Sequence, residues 1–422
     1  MRRGAFEGRL HDELAAVRPP RATEAERRAW DVVHAAHAGQ LPVRRPRRGR
    51  LIAAVAAAAA LAVALALTPA GAKVGGWIGD VVDPAPKTSR STLASLPSKG
   101  RLLVAADSGA WIVQDDGAKR RLGSFRDATW SPGGLYVAAA RGRELVALEP
   151  DGAERWTLPA PRRVTAPRWS PDGFRIAYLS GSDLYVTIAD NTARWALARD
   201  VRPVAPAWQP GRPDGQQVLA YARGERIEIA RVDPARPPRA PIGRTAPGPV
   251  ALDLWWSVDG RVIAVSERSV RTFSARGELL RTVILPGDLR ASGSALAPDG
   301  RRLALIAAAP GARSSELLLL RTGRGEPPRR RLGGFGRLEG LTWSIDGRVL
   351  VAGLPTADQW LFLRLRGSGG LESVKRIRAQ FAGGRPARTG AFPRPAGWCY
   401  REPADRDPLG QPPCSSGGAP AP

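Results

Sequence analysis

Few side chains in this sequence could perform chemistry, and their positions narrow what that chemistry could be. All three histidines, His11, His34 and His37, precede residue 38. Everything after them lacks an imidazole to serve as base, nucleophile activator or metal ligand. The two cysteines, Cys399 and Cys414, are too few for a structural zinc site, and read either as a disulfide formed in an oxidising compartment or as two free thiols. No G-x-S-x-G elbow, phosphate-binding glycine loop or D-x-D-x-D-G calcium loop occurs. Carboxylates remain. Asp115, Asp116, Glu225 and Glu228 are the candidates for the paired acid and base work of a glycosidase or lyase, although acidic residues in hairpin turns are ordinarily solvated. Asp172, Asp259, Asp299 and Asp346 recur as a metal ring would, yet each stands in a turn sequence whose local backbone accounts for it. The expectation is therefore no catalytic residue, no metal site and no cofactor.

Those four aspartates belong to an internal repeat. It reads Trp130-Ser131-Pro132-Gly133-Gly134, Trp169-Ser170-Pro171-Asp172-Gly173, Trp208-Gln209-Pro210 with Asp214-Gly215 after an insertion, Trp256-Ser257-Val258-Asp259-Gly260, Leu296-Ala297-Pro298-Asp299-Gly300 and Trp343-Ser344-Ile345-Asp346-Gly347. Successive first positions lie 39, 39, 48, 40 and 47 residues apart, the period of a four-stranded propeller blade, roughly 40–50 residues. Proline presets φ for a turn and Asp-Gly tolerates positive φ, so the motif closes a hairpin. The tryptophan ending the incoming strand is expected to pack between blades. Short apolar runs such as 174–179 (FRIAYL), 184–188 (LYVTI) and 194–197 follow, bounded by turn residues as strands require.

The segment 169–179, WSPDGFRIAYL, resembles the TolB-like propeller repeat family almost letter for letter, and the resemblance extends from residue 101 to about 380. It implies an all-β propeller that binds proteins or ligands and implies no single reaction. Gly133 in place of the aspartate, the insertion in the third copy and Leu296 in place of tryptophan depart from the pattern. Residues 101–125 supply three strands with no motif before them, and the missing inner strand is expected around 374–381. Closing the ring in this way gives seven blades, with six as the alternative.

Before the repeats, 51–67 reads LIAAVAAAAALAVALAL, with small residues continuing to 72. About 20 apolar residues cross a bilayer, so 51–72 is read as a transmembrane helix. Arg44, Arg45, Arg47, Arg48 and Arg50 precede it and a lone Lys73 follows, which puts the amino terminus inside. A cleaved signal peptide, ending near Ala70-Gly71-Ala72, is the competing reading. Residues 1–50 form a basic tail in which Thr23 and Glu26 make a capping box and Ala29, Trp30, Val33 and His37 share one helical face. Residues 73–100 read as a linker, 101–382 as the propeller, and 383–422 as an irregular Pro/Gly-rich tail.

The charge of +25 is almost wholly arginine, spread along every repeat without interleaved aromatics, so no nucleic-acid partner is expected. These residues together indicate a single-pass membrane protein with an extracytoplasmic propeller. Its expected role is a non-catalytic scaffold or sensor for another envelope protein or ligand. The alternatives are a carboxylate-based propeller enzyme, or a signalling protein whose tail engages a cytoplasmic partner such as a sigma factor.

Overall fold

The described Ser-x-Asp-Gly stretches do what their turn chemistry requires. The Gly173 N–H donates to Ser170 O at 2.9 Å and the Gly347 N–H to Ser344 O at 2.8 Å, with the two glycines at φ 75° and 60°, where a Cβ would be strained. Ser170 Oγ then bonds Asp172 Oδ1 at 2.5 Å, and Arg175 holds Asp172 Oδ2 at 2.7 Å. Every turn joins an inner strand to the second strand of a meander. The computed structural model describes residues 88–211, 217–233, 241–365, 370–383, 391–399 and 414–416.

These meanders form seven sheets. From inner to outer strand, blade 1 is Asp127–Trp130, Val137–Arg141, Glu144–Leu148 and Glu154–Pro159. Blade 2 is Val164–Trp169, Arg175–Ser180, Asp183–Ile188 and Arg194–Ala198. Blade 3 is Ala207–Trp208, Gln217–Arg223, Arg226–Val232 and Gly243–Arg244, its first and last strands cut to two residues beside the insertion. Blade 4 runs from Ala251–Trp256 to Leu279–Ile284, and blade 5 from Arg290–Leu296 to Arg329–Leu332. Blade 6 runs from Glu339–Trp343 to Gly370–Lys375, and gains an outer fifth strand because Thr88–Arg90 pairs parallel to Gly370–Lys375. The chain is a seven-bladed β-propeller.

The core is divided between the blades. Seven clusters of buried residues occupy the seven interfaces, and each repeat tryptophan lies between its own blade and the one before. Fully burying such a side chain is worth about 3 kcal/mol. The indoles also stitch inner strands together. Trp208 Nε1 donates to Arg168 O at 3.0 Å, Trp256 Nε1 to Ala207 O at 2.9 Å and Trp343 Nε1 to Ala295 O at 2.9 Å. The acceptor in all three is the residue before the preceding repeat's first position. Blade 5 has Leu296 instead, and Trp255 of blade 4 packs beside it and bonds Ser294 Oγ at 2.8 Å. Trp130 and Trp169 are buried, but their Nε1 groups find no acceptor among the described residues.

Blade 7 is built from both ends of the described chain, as the strand count requires, but with a different closing strand. Arg101–Ala106, Gly109–Val113 and Lys119–Gly123 supply three strands, and Arg394–Cys399 pairs antiparallel to the first of them. The closing strand expected around 374–381 is instead the end of blade 6 followed by one helical turn, Ile377–Gln380. Arg376 at φ 57° stops the strand, and Val374, Ile377 and Phe381 fill the seam between blades 6 and 7. The outer boundaries move accordingly. Leu93 and Leu96, assigned above to a linker, are buried in the same seam, and the segment read as an irregular tail holds the ring-closing strand. Cys414–Ser416 adds antiparallel to the free edge of Arg394–Cys399, with Cys414 directly opposite Cys399. Cys399 is disulfide-bonded. The basic tail, the helix expected from its capping box, the run read as a transmembrane segment and Asp214-Gly215 lie outside the described residues. Among the described residues no helix is long and apolar enough to cross a membrane.

Candidate functional site

The inner strands of all seven blades line a central channel. They run from the face where the chain crosses between blades to the face of the Ser-Pro-Asp-Gly turns. A funnel of about 560 Å³ opens on the crossing face, and a smaller mouth of about 200 Å³ on the turn face. Arg168 borders both and so stands in the throat between them.

Sequence reading missed the throat residues. Asp253 is 3 % exposed and accepts a 2.7 Å hydrogen bond from Ser294 Oγ, the hydroxyl that Trp255 Nε1 also reaches. Burial pushes its carboxyl up to about 7, against the opposing pull of Ser294 and Arg168. Arg168 donates from Nη1 to Pro167 O at 2.8 Å. Enclosure lowers its guanidinium below the ordinary arginine value, and Asp127 and Asp253 act against that shift. Asp127 Oδ2 in turn accepts the Ala166 N–H at 2.6 Å, tying blade 1 to blade 2 where Ala166 sits at φ 50°. That backbone region costs a non-glycine residue about 1 kcal/mol or more, and the charged hydrogen bond offsets it. One signal could have found both acids: Asp127 and Asp253 each stand three residues before a repeat tryptophan, a position on the inner strand.

The acids singled out in the sequence are dispersed. Asp115 and Asp116 are exposed in a hairpin turn, where Asp116 Oδ1 accepts the Ala118 N–H at 2.9 Å. Glu225 is exposed in another turn. Glu228, three residues on, is buried and held by Arg244 at 2.8 Å, Arg223 at 3.7 Å and the Tyr221 hydroxyl at 2.8 Å. Burial and Glu228 together raise the Tyr221 hydroxyl above its ordinary value. The turn aspartates are engaged within their own turns. Asp259 bonds Ser257 Oγ and pairs with Arg261, Asp299 accepts from the Arg302 Nε at 2.9 Å, and Asp346 accepts from Ser344 Oγ at 2.5 Å. Gly260 and Gly300 take positive φ as Gly173 and Gly347 do.

The turn-face mouth is apolar. Trp130, Trp169, Trp208 and Trp256 line it together with Pro132 and Pro171, and Leu135, Phe174 and Val258 project from the same turns into solvent, Phe174 at 67 % exposure. Arginines border this surface. Arg101 stacks over Trp130 at 4.8 Å and Arg302 over Trp343 at 4.9 Å.

No family model and no curated protein matches the chain. Solved structures similar to it include Kuenenia stuttgartiensis hydrazine synthase, at 14 % identity over 57 % of this chain and 76 % of that one, with a TM-score of 0.45. The Swd1 β-propeller domain of Myceliophteria thermophila is similar at 13 % identity over 60 % of this chain and 86 % of its own, TM-score 0.47. A functionally unknown protein from Desulfotomaculum acetoxidans is similar at 10 % identity over 66 % and 99 %, TM-score 0.49.

Proposed function

We propose that this chain is a membrane-held propeller of TolB-like type. In this reading its turn face docks another protein of the cell envelope and the disc performs no catalysis of its own. The observation that carries the reading is the apolar turn-face mouth, with Leu135, Phe174 and Val258 standing in solvent around it. Exposed large apolar residues gathered around a concavity and rimmed by arginine have the make-up of a protein interface. The uncharged run at 51–67 and the arginines before it support anchoring with the disc on the outer side.

A photo-crosslinking side chain placed at Phe174, and separately at Gly311 on the opposite face, tests both parts in the native cell. The expected result is one recurrent envelope protein captured from position 174 and absent from position 311, lost in a Leu135→Asp, Val258→Asp background. The disc should sediment with membranes and be cut by protease added outside. Equal capture from both faces, or a disc protected from external protease, refutes the reading. The enzyme alternative keeps one support, the Asp253 carboxyl that titrates near neutral pH in the channel.

A further inference from the structure

The funnel on the crossing face is a second site of different chemistry. Four consecutive blades place an arginine at the start of the inner strand: Arg290 begins that of blade 5, Arg337 stands two residues before that of blade 6, Arg394 begins that of blade 7, and Arg126 immediately precedes that of blade 1. All four line the funnel, with Arg168 at its floor. Three carboxylates share the wall, and two have other commitments: Glu267 pairs with Arg290 at 3.4 Å, and Asp127 accepts the Ala166 N–H. Arg126 and Arg394 make no side-chain hydrogen bond or ion pair among the described residues. Arg337 donates one bond, to Ala312 O at 3.0 Å. Arg168 uses one N–H on Pro167 O, although a guanidinium carries five.

A desolvated cation with most of its donors unused, below guanidinium groups of which Arg126 and Arg394 are uncommitted and Arg337 largely so, is arranged to receive negative charge. The walls narrow the choice. Leu252, Ile306, Leu338 and Leu341 are aliphatic, and among the described residues no aromatic one lines the funnel to stack a base. A volume of about 560 Å³ is that of a small-molecule pocket, in the range of roughly 300–1,000 Å³. We propose that the crossing-face funnel binds a small multivalent anion with an aliphatic body, either a polycarboxylate or a phosphate ester. Arg126, Arg337 and Arg394 grip its outer acidic groups, and Arg168 receives the innermost one. This site is separate from the turn face and holds whether or not a protein docks there.

The test is titration calorimetry on the full chain in a non-ionic detergent at physiological ionic strength. Citrate and glucose 6-phosphate serve as probes, with glucose as the uncharged control. Saturable binding of either anion at one site per chain is expected, and which of the two binds distinguishes carboxylate from phosphate recognition. Arg394→Ala and Arg168→Met should each weaken that binding about tenfold or more, the usual worth of a hydrogen bond to a charged group. Arg324→Ala, on the outer edge of blade 5, should leave it unchanged. Melting curves identify any variant that fails to fold. Should Arg168→Met do so, the solvent-facing Arg126→Ala takes its place. The proposal is overturned if neither anion saturates. It is also overturned if Arg324→Ala weakens binding as much as Arg394→Ala does, since attraction would then be to the net positive charge at large.

Discussion

Replacing Asp253 by asparagine should stabilise this protein in alkali and leave it unchanged in acid. The buried carboxyl titrates near 7 in the folded chain against an ordinary value of 3.8. A folded-state value raised above the unfolded one means that the native protein holds the proton more tightly. The resulting stability is fully present below about pH 4 and is lost as the pH rises to about 7. At about 1.4 kcal/mol per pH unit, the loss has a ceiling of about 4 kcal/mol. Water penetration reduces it, so about 1–3 kcal/mol is expected. Asparagine keeps an acceptor for the Ser294 hydroxyl and removes the charge, so the penalty disappears. Urea denaturation of the full chain should give nearly equal midpoints for the two proteins at about pH 3.5, below the ordinary carboxyl value. At pH 8.5 the Asp253→Asn protein should have the higher midpoint, with m-values unchanged. A variant destabilised by the same amount at both pH values would refute the reasoning, because Asp253 would then be a charge that the channel needs.

The stitching indoles make a second prediction. Trp343→Phe keeps most of the apolar surface between blades 5 and 6 and leaves Ala295 O without its donor, so it should cost about 1–3 kcal/mol by denaturant titration. Cys414→Ser should remove about 3 kcal/mol, the chain-entropy value for a loop of about 15 residues, and make the unfolding midpoint insensitive to added reductant. Truncation after Gly383 deletes the strand that pairs with Arg101–Ala106. The shortened chain should lose its cooperative melt and be cleaved rapidly in limited proteolysis, and an unchanged melt would mean that the ring closes without it.

Blades 1 to 6 could be read from sequence because hairpin chemistry is local. Pro171, Asp172 and Gly173 fix their turn with partners no more than five residues away, and Trp169 marks the strand end beside it. Blade 7 could not be read so fully. Its inner and second strands come from opposite ends of the described chain, so Trp398 occupies the place of a repeat tryptophan with no Pro-Asp-Gly sequence after it. Pro395 and Gly397 made that strand look irregular. The stretch 374–381 is no strand for a related reason: its apolar residues fall at spacings of three and four, a helical interval, and only the missing place in the ring pointed to a strand there. The throat was invisible as a set because Asp127, Arg168 and Asp253 come from three blades. Only the alignment of each acid to its neighbouring tryptophan hinted at a shared depth. The funnel arginines were counted in the sequence as part of an evenly spread charge, and the ring turns four of them toward one opening.

The seventh sheet waits for Arg394–Cys399. During synthesis its first three strands emerge before blades 1 to 6 and the strand that completes them after, so the growing disc stays an open arc in which Arg101–Ala106 presents an unpaired edge. Such edges recruit foreign strands. A chain of this design therefore has to be shielded until that strand has emerged, and its yield in a cell should depend on chaperone capacity more than on the stability of the finished ring.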